Sequence, residues 1–384
     1  MTWNRRYDRW VAVAVCLTVL AVGTWLGLPT PERASSAASA VTSVARDLPP
    51  AAPRTTHALS PVELRAAMHS RHAVTRNLPK YGPLSADTTI IVVQVHQDGT
   101  SLRRLIDNLS RVLYIQSTLL IFSHAYYDDG INESVDSVNF CRTMQLFYPY
   151  SVQLNPKWFP GLEESGENVA WRVETKLHWW WQAHYVFDNI GGAAGDAPVL
   201  FLQEQHVVAP DMLYMLRHAQ RALAELPSAH VLALGREPAR RLEPDLLLLD
   251  AWRPPYDVGL AFNRTTWIKI AALAIQFCTY EDCSWSYSLL NVFAAFPGGR
   301  CDMVACVAPR VLVARAGRPA PAWVRQFPTH VRAVYAWTTH ARLEGPAAFA
   351  GTASAADCAR LRDQLFCLDP LIDIDTDYFN DTAI

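Results

Sequence analysis

The chain has 384 residues, 51% of them hydrophobic, which is enough for one large hydrophobic core or two smaller ones. Its formal net charge is −2, so the composition excludes a uniformly basic surface of the kind that binds nucleic acid. Charged residues make up only 18% of the chain, and part of the apolar excess lies at the N-terminus.

Residues 10–28 form an uncharged apolar run. At about 1.5 Å per residue, a helix of this length nearly crosses a bilayer core of roughly 30 Å. Arg5, Arg6 and Arg9 precede the run, so residues 1–9 are predicted to be a short cytosolic tail. The run is interpreted as a single-pass type II signal anchor. A cleaved signal peptide is the alternative, because small residues that suit a cleavage site follow the run.

Residues 29–87 are predicted to form a stem in front of a lumenal domain over 88–384. The first part, to about residue 58, is rich in Ala, Ser, Thr and Pro and offers little apolar surface to bury. Ser60 and Glu63 have the spacing of a capping box, with Pro61 at the first helical position. This pattern predicts a short helix over 61–70.

Beyond residue 88, apolar β-branched runs alternate with segments of helical periodicity. A strand, a helix and a second strand at this spacing are typical of a βαβ unit with parallel strands. The alternation predicts an α/β domain with helices on both faces of a mostly parallel sheet. The predicted strands are 88–96, 117–125, 151–156 and 199–205, and the predicted helices are 101–113, 172–190, 210–226 and 278–295.

The cysteines and glycosylation sequons fit a lumenal domain. Seven of the eight cysteines follow the predicted anchor and would face an oxidising compartment. Because seven is odd, at least one of them stays free or pairs between chains. N-x-S/T sequons are found at Asn108, Asn132, Asn263 and Asn380.

Several collinear strings between residues 88 and 315 carry a resemblance to a known family. They include QVHQDGTSLRRLIDNLSRV, ETKLHWWWQAHYVF, VLFLQEQHVVAPD, DVGLAFNR and FCTYEDCSWSYSLL. This series resembles the β-1,2-N-acetylglucosaminyltransferase II family, which acts on the α-1,6-arm mannose of N-glycans in the Golgi. The resemblance implies a GT-A glycosyltransferase fold with a Rossmann-like nucleotide-sugar half, a UDP-GlcNAc donor, Mn²⁺ and an inverting displacement.

The resemblance also assigns the metal and base positions, and the residues found there are unusual. The acidic residue that binds the metal in the family corresponds to Gln205, whose side-chain amide carries no charge. The metal-binding histidine corresponds to Val313. Glu204 is a retained acid that either contacts a ribose or a water-bridged metal, or is simply a hydrogen-bonded strand-end acid. The catalytic base falls on Ser286, and serine is too weak a base at neutral pH. Glu281 and Asp282 are interpreted as an exposed acidic first turn.

The remaining assignments concern the donor and the disulfides. Lys176 either pairs with phosphate or is a solvated helix lysine. Of the three consecutive tryptophans 179–181, two are expected in the core, and at most one beside a sugar site. The resemblance pairs Cys278 with Cys358. It assigns the donor site to Gln94, Val95, His96, Gln97, Asp98, Ala125, Glu174, Thr175, Lys176, Leu177, His178 and Asp257.

The sequence is compatible with three functions. One is an active transferase with altered chemistry, in which Lys176, Arg310 or Arg315 replaces the metal as counter-charge for the diphosphate. The second is a catalytically inactive pseudoenzyme that binds a glycan, a nucleotide-sugar or a partner Golgi protein. The third is a purely structural lumenal protein.

Overall fold

The computed structural model describes residues 59–156, 159, 167–236, 244–254, 256–280, 283–314, 332–334 and 367–368. All of them belong to one unit, Arg54–Ile384. No helix in these ranges has both the length and the apolar character needed to cross a membrane. The predicted tail, anchor and first part of the stem lie outside the described residues and stay predictions.

Helices and strands alternate from residue 90 to residue 203 of the described chain, and beyond that several strands or helices follow one another. The helices are α1 (Pro61–Arg71), α2 (Leu78–Tyr81), α3 (Gly99–Leu109), α4 (Asp129–Asp136), α5 (Glu167–Asn189), α6 (Met212–Ala224), α7 (Arg264–Ala271), α8 (Ala274–Cys278) and α9 (Trp285–Ala294). The strands are β1 (Ile90–Val95), β2 (Leu119–His124), β3 (Arg142–Phe147), β4 (Val199–Gln203), β5 (His206–Val208), β6 (Ala229–Ala233), β7 (Leu246–Ala251), β8 (Leu260–Phe262), β9 (Asp302–Cys306), β10 (Val311–Val313) and β11 (Arg332–Val334).

The described strands form one nine-stranded sheet in the order β11-β7-β9-β6-β8-β4-β1-β2-β3, together with a small β10-β5 ribbon. β1 pairs in parallel with both β2 and β4, which confirms the predicted βαβ unit. β8 is antiparallel to β4 and β6, so β6 again runs in the direction of β4. The domain is therefore α/β with a mostly parallel central sheet, as predicted.

Both faces of this sheet are buried, which explains the continuous apolar strands. Alternate residues of β1 point to opposite faces. Ile90 and Val92 pack under α5 and the helices around residues 264–294. Ile91 and Val93 pack on the other face with the apolar residues of α3, α4 and α6.

Helix α1 confirms the predicted capping box. The Glu63 amide donates to Ser60 Oγ, and the Ser60 amide donates to Glu63 Oε2. Leu64 and Met68 of α1 pack against Phe147 at the end of β3. The chain that follows then bridges β3, with Ala73 N donating to Gln145 O at 2.8 Å. The boundary predicted at residue 88 therefore falls inside the folded unit.

The third strand of the sheet differs from the prediction. Residues 151–156 form hydrogen-bonded turns, in which Asn155 N donates to Ser151 O at 3.0 Å, so the strand predicted there is wrong. The strand is β3, which pairs in parallel with β2. Its charged residue, Arg142, is accommodated because the guanidinium donates to the carbonyls of Tyr81 and Gly82.

The three tryptophans of α5 are all buried, with exposed fractions of 1%, 0% and 3%. The two or more expected in the core are therefore found there, and the third is buried as well. Helix α5 is covered on several sides, and each ring has its own neighbour. Trp179 stacks on Trp285 at 4.6 Å, Trp180 stacks on Phe277 at 4.2 Å, and Trp181 packs against Tyr148 at 5.5 Å.

The disulfide assignment is also corrected. Cys278, at the end of α8, pairs with Cys367 and not with Cys358. Trp180 Nε1 donates to the Cys367 carbonyl at 2.9 Å, which holds this later segment against α5 and beside Cys278. Cys283 is disulfide-bonded as well, whereas Cys141, Cys301 and Cys306 are buried free thiols.

Candidate functional site

The carboxyl ends of β1, β2, β3 and β4 lie at the same edge of the sheet, because these strands are parallel. Ligands of open α/β sheets bind at this edge. The predicted donor residues Gln94–Asp98 and Ala125 lie at these strand ends, and so does the triplet Gln203–Gln205 with the retained acid Glu204 and the expected metal position Gln205. The structure therefore brings these predicted site segments together, and we refer to this region as the carboxyl edge.

Glu204 is the central acid of the carboxyl edge. Its carboxylate accepts hydrogen bonds from His96 N at 2.8 Å and from Asp98 N at 3.2 Å, and its side chain is buried. Burial raises the pKa of Glu204 to about 7, although these backbone hydrogen bonds act in the opposite direction. Both carboxylate oxygens of Glu204 therefore hold the loop after β1 through hydrogen bonds, which agrees with the interpretation of Glu204 as a hydrogen-bonded strand-end acid.

Asp98 caps the N-terminus of α3. Its Oδ1 accepts hydrogen bonds from Thr100 N at 3.1 Å and Ser101 N at 2.9 Å. A helix N-terminus is normally a good place for a phosphate, because its amides are unpaired and its dipole is positive. Here the carboxylate satisfies those amides and adds negative charge, so the start of α3 is unsuited to a diphosphate.

Gln94 and His96 place polar atoms inside the carboxyl edge. Gln94 is fully buried and donates from Nε2 to Thr175 O at 3.0 Å. Gln94 Oε1 and His96 Nδ1 have no hydrogen-bond partner among the described residues. Burial lowers the pKa of His96 to about 4, so its imidazole is neutral at physiological pH. Val95 between them is buried, whereas Gln97 is exposed.

His178 links α5 to β2. Its Nε2 lies 2.7 Å from Ser123 Oγ, and its ring stacks on Tyr148 at 5.1 Å. Burial lowers the pKa of His178 well below its ordinary value. Ala125, directly after β2, is buried and donates its amide to Val95 O at 2.9 Å. His178 is therefore a buried structural residue beside the site, and Ala125 offers a ligand only backbone.

Glu174 and Lys176 of α5 are both buried. Glu174 accepts a hydrogen bond from Val152 N at 2.7 Å, and burial raises its pKa to about 7. Lys176 is only 4% exposed and donates from Nζ to Tyr280 O at 2.9 Å, so the solvated-lysine reading is wrong. Leu177 belongs to the core, and Thr175 donates its hydroxyl to Trp171 O.

The two expected metal positions are close together but poorly suited to a metal. Val313 pairs with His206 in the β10-β5 ribbon, and Ala314 N donates to Gln205 O at 2.8 Å. The Gln205 amide donates to Gln203 Oε1, and Val313 offers no ligand atom. His206 Nδ1 accepts from Gln203 N at 3.1 Å. Within the described ranges no three His, Cys, Asp or Glu side chains form a metal-binding group, so these residues do not fit Mn²⁺.

Arg310 is unavailable as a counter-charge for a ligand. It is 2% exposed, and its Nε lies 2.9 Å from Asp211 Oδ2 in a buried ion pair. It also donates to the carbonyls of Pro244 and Ala308. The proposed role of Arg310 against a diphosphate is therefore wrong, and Arg315 lies outside the described residues.

Ser286 and Asp257 are two further residues of the predicted site, and the structure describes both of them. Ser286, in the first turn of α9, is buried and lies 3.0 Å from Ser284 through their hydroxyl oxygens. Asp257 lies in the turn before β8 and is half-buried. Burial raises the pKa of Asp257. Glu281 and Asp282 lie outside the described residues.

Arg236 is a candidate that sequence reasoning missed. It follows Gly235, which bridges Val311 two residues before Val313. Its guanidinium lies 5.1 Å above the Tyr256 ring, and its Nε has no hydrogen-bond partner among the described residues. Because β6 runs in the direction of β4, Arg236 lies at the carboxyl end of its own strand. Arg236 belongs to no recognisable sequence motif. Its position near Val313 follows from the long-range pairing of Gly235 with Val311, which the sequence does not reveal.

Comparison with known sequences identifies the family. The family model for N-acetylglucosaminyltransferase II (MGAT2) matches residues 65–168 and 166–318. The human alpha-1,6-mannosyl-glycoprotein 2-beta-N-acetylglucosaminyltransferase is 31% identical over 246 residues, covering 56% of this chain and 55% of the relative. The Arabidopsis thaliana protein of the same name is 29% identical over 254 residues, covering 60% and 59%. The chain thus spans little more than half the length of these curated relatives.

Comparison with solved structures gives weak likenesses only. Staphylococcus aureus TarS in complex with UDP-GlcNAc has a TM-score of 0.37 and 8% identity, covering 63% of this chain and 62% of that chain. The mannosyltransferase PcManGT from Pyrobaculum calidifontis, in complex with GDP-Man and Mn²⁺, has a TM-score of 0.34 and 15% identity, covering 68% and 69%. Scores this low carry no argument about ligand or mechanism.

Proposed function

The chain belongs to the N-acetylglucosaminyltransferase II family, and from that premise we propose that it transfers GlcNAc from UDP-GlcNAc to an N-glycan. The acceptor in this proposal is the α-1,6-arm mannose and the new linkage is β-1,2, as the names of the relatives describe. The α/β domain is then a GT-A fold, held in the Golgi lumen by residues 10–28.

The observation that carries the proposal is the pair of buried, unpartnered polar atoms at the end of β1. A buried polar atom without a partner costs about 1–3 kcal/mol, so such atoms are normally paired. Gln94 Oε1 and His96 Nδ1 both lack partners among the described residues and lie at the edge where α/β sheets bind nucleotides. A bound nucleotide sugar supplies donors and acceptors for both atoms.

The diphosphate requires positive charge, and Arg236 is the group best placed to supply it. It lies beside β10, near the Val313 position where the resemblance expects a metal ligand. An arginine forms bidentate hydrogen bonds with phosphate oxygens. In this proposal Arg236 stabilises the leaving UDP, and no step passes through a metal, because Gln205 and Val313 do not form a ligand set.

A second candidate function is binding of the nucleotide sugar without transfer. The observation that favours it is Ser286 at the expected base position, since a serine hydroxyl alone does not remove a proton at neutral pH. Such a pseudoenzyme would act by holding a glycan, a nucleotide sugar or a partner Golgi protein.

One experiment separates these functions. The full chain is titrated with UDP-GlcNAc by calorimetry, and is then assayed with a biantennary N-glycan whose α-1,6-arm mannose is free, with EDTA and with added Mn²⁺. We expect binding and a β-1,2-linked product at similar rates in EDTA and Mn²⁺. Binding without product supports the second candidate. Absence of binding contradicts the transferase and leaves, of the second candidate, only a protein that holds a glycan or a partner. UDP-galactose serves as the donor-specificity control.

A further inference from the structure

Trp171, in the second turn of α5, keeps about half of its surface in contact with solvent. Its exposed fraction is 53%, although tryptophans are highly buried on average. The other tryptophans that the structure describes are all buried: Trp179, Trp180, Trp181, Trp252, Trp267 and Trp285. A tryptophan ring held at a surface offers a flat apolar face on which the flat ring of a ligand can stack.

Two hydrogen bonds connect the turn of α5 that carries Trp171 to the end of β1. The Thr175 hydroxyl donates to Trp171 O at 2.9 Å, and Gln94 Nε2 donates to Thr175 O at 3.0 Å. Gln94 is fully buried and belongs to β1, so its amide group has a fixed position. The backbone of Trp171 is therefore held against the carboxyl edge.

The ring of Trp171 also contacts the carboxyl edge directly. Its centroid lies 5.9 Å from that of the His96 imidazole, with an interplanar angle of 57°. His96 is only 7% exposed, and its Nδ1 has no hydrogen-bond partner among the described residues. An exposed apolar ring thus lies beside an unpartnered polar side chain, at the edge where α/β sheets bind nucleotides. Both features suit a ligand with a flat ring and with hydrogen-bonding groups around that ring.

We propose that Trp171 is the stacking platform for the uracil base of UDP-GlcNAc. Uracil has two apolar faces, and its N3–H and two carbonyl oxygens lie in the plane of the ring. The alternative, a stacked sugar, fits the strand order less well. Arg236, the proposed counter-charge for the diphosphate, follows β6, which is three strands away from β1. The diphosphate and sugar therefore lie towards β6, and the base lies at β1. The identity of the nucleotide in this inference rests on the proposed function.

The test titrates the full chain with UDP by calorimetry, in the wild type, Trp171→Ala, Trp171→Phe and Ile268→Ala. Stacking of one base on an aromatic ring corresponds to roughly 5- to 150-fold in affinity, so Trp171→Ala should weaken UDP binding by a factor in that range. Trp171→Phe keeps an aromatic ring and should retain most of the wild-type affinity. UDP carries no GlcNAc, so a sugar contact cannot cause the loss.

Ile268→Ala is the matched control. Ile268 is an apolar helix residue with an exposed fraction of 58%, close to that of Trp171. It lies in α7, which begins at the opposite edge of the sheet, because α7 follows β8 and β8 runs antiparallel to β4. This variant should bind UDP with wild-type affinity. Tryptophan fluorescence adds a second readout, since UDP should quench the wild type more strongly than Trp171→Phe.

The outcomes separate this inference from the transferase function. Wild-type affinity for UDP in Trp171→Ala, or equal losses in Trp171→Ala and Trp171→Phe, overturns the stacking role and leaves the transferase function intact. A loss of affinity for UDP-GlcNAc without a loss for UDP assigns Trp171 to the sugar and also overturns it. A wild-type chain that binds UDP through Trp171 but forms no product contradicts only the transferase function. A wild-type chain that does not bind UDP overturns both.

Discussion

At the scale of single residues, the carboxyl group of Glu204 connects strand β4 to the loop after β1. It is buried with both oxygens bound by backbone amides, and its pKa is raised from 4.5 to about 7. Between these two values the folded chain holds a proton that the unfolded chain has released. The contribution of Glu204 to stability is therefore present at low pH and lost as the pH rises towards 7 and beyond.

Glu204→Gln should remove this pH dependence. We expect the variant to gain stability relative to the wild type as the pH rises from 5 to 8, by on the order of 3 kcal/mol. The substitution also lowers the free energy of unfolding by an amount that does not depend on pH, because the new amide group faces a backbone N–H. Urea unfolding at four pH values measures the difference, with exposed Glu133→Gln as the control. A difference that does not change with pH contradicts the prediction.

Arg236→Gln tests the proposed counter-charge. A hydrogen bond to a charged group contributes about 1.5–3 kcal/mol, so affinity for UDP should fall roughly 10- to 100-fold. Arg217 is a matched control, because its guanidinium also lies over a tyrosine ring, that of Tyr114, at 5.0 Å. Calorimetry with UDP should show normal affinity in Arg217→Gln. Equal affinity in both variants would remove Arg236 from the site.

The roles of the residues at the carboxyl edge could be predicted from the sequence only in part. The segment 94–98 and the Gln203–Gln205 triplet were identified from the resemblance, and the parallel strands explain why they meet. The partners of Glu204, Lys176 and Arg310 could not be predicted, because each is supplied by a segment far away in the chain.

At the scale of elements, the Asp211–Arg310 pair joins the start of α6 to the residue before β10. Both side chains are almost fully buried, at 1% and 2% exposed. Removing one partner of a buried pair leaves an uncompensated charge and typically costs 3–5 kcal/mol. This ion pair therefore holds the β10-β5 ribbon in a fixed position relative to helix α6 and the main sheet. Gln205, which lies directly before β5, is held with it.

Arg310→Met should lower the free energy of unfolding by about 3–5 kcal/mol. The exposed pair Arg111–Asp107, whose side chains are 66% and 56% exposed, provides the control. Arg111→Met should change stability by no more than about 0.5 kcal/mol. Thermal and urea unfolding report both values. A similar small effect at Arg310 would show that the buried pair does not stabilise the fold.

The strands that could be predicted from the sequence are those with continuous runs of apolar residues. Strands β1, β2 and β4 are predictable because each begins with four consecutive apolar residues. β3 was missed because Arg142, Thr143 and Gln145 interrupt its sequence, although all three are buried. Tertiary partners, such as the carbonyls that accept the Arg142 guanidinium, determine this strand, and no local pattern reveals them.

At the scale of the whole molecule, the disulfide between Cys278 and Cys367 connects positions that are 89 residues apart. Closing a loop of that length restricts the unfolded chain, which stabilises the folded one by about 4 kcal/mol. Replacing both cysteines by serine should lower the unfolding midpoint accordingly.

Peptide mapping without reduction checks the pairing itself. Alkylation of the unfolded, unreduced chain should label the free thiols Cys141, Cys301 and Cys306 and leave Cys278 unlabelled. A peptide that links Cys278 to Cys358 would restore the pairing implied by the resemblance. The α/β class itself was predictable from alternating elements, whereas this cross-link depends on where a distant segment docks.

Helix α1 and residues 72–76, which we call the strap, protect an edge of the sheet from pairing with other chains. β3 is the outermost strand of the main sheet, and an uncovered edge strand recruits strands from other chains. His72 and Arg76 occupy bridge positions along β3, so the strap covers part of this edge. A truncated protein beginning at residue 88 would keep the carboxyl edge but expose β3, and it would be prone to polymerise by strand addition. The solubility of the domain thus depends on α1 and residues 72–76, which the sequence analysis placed in the stem.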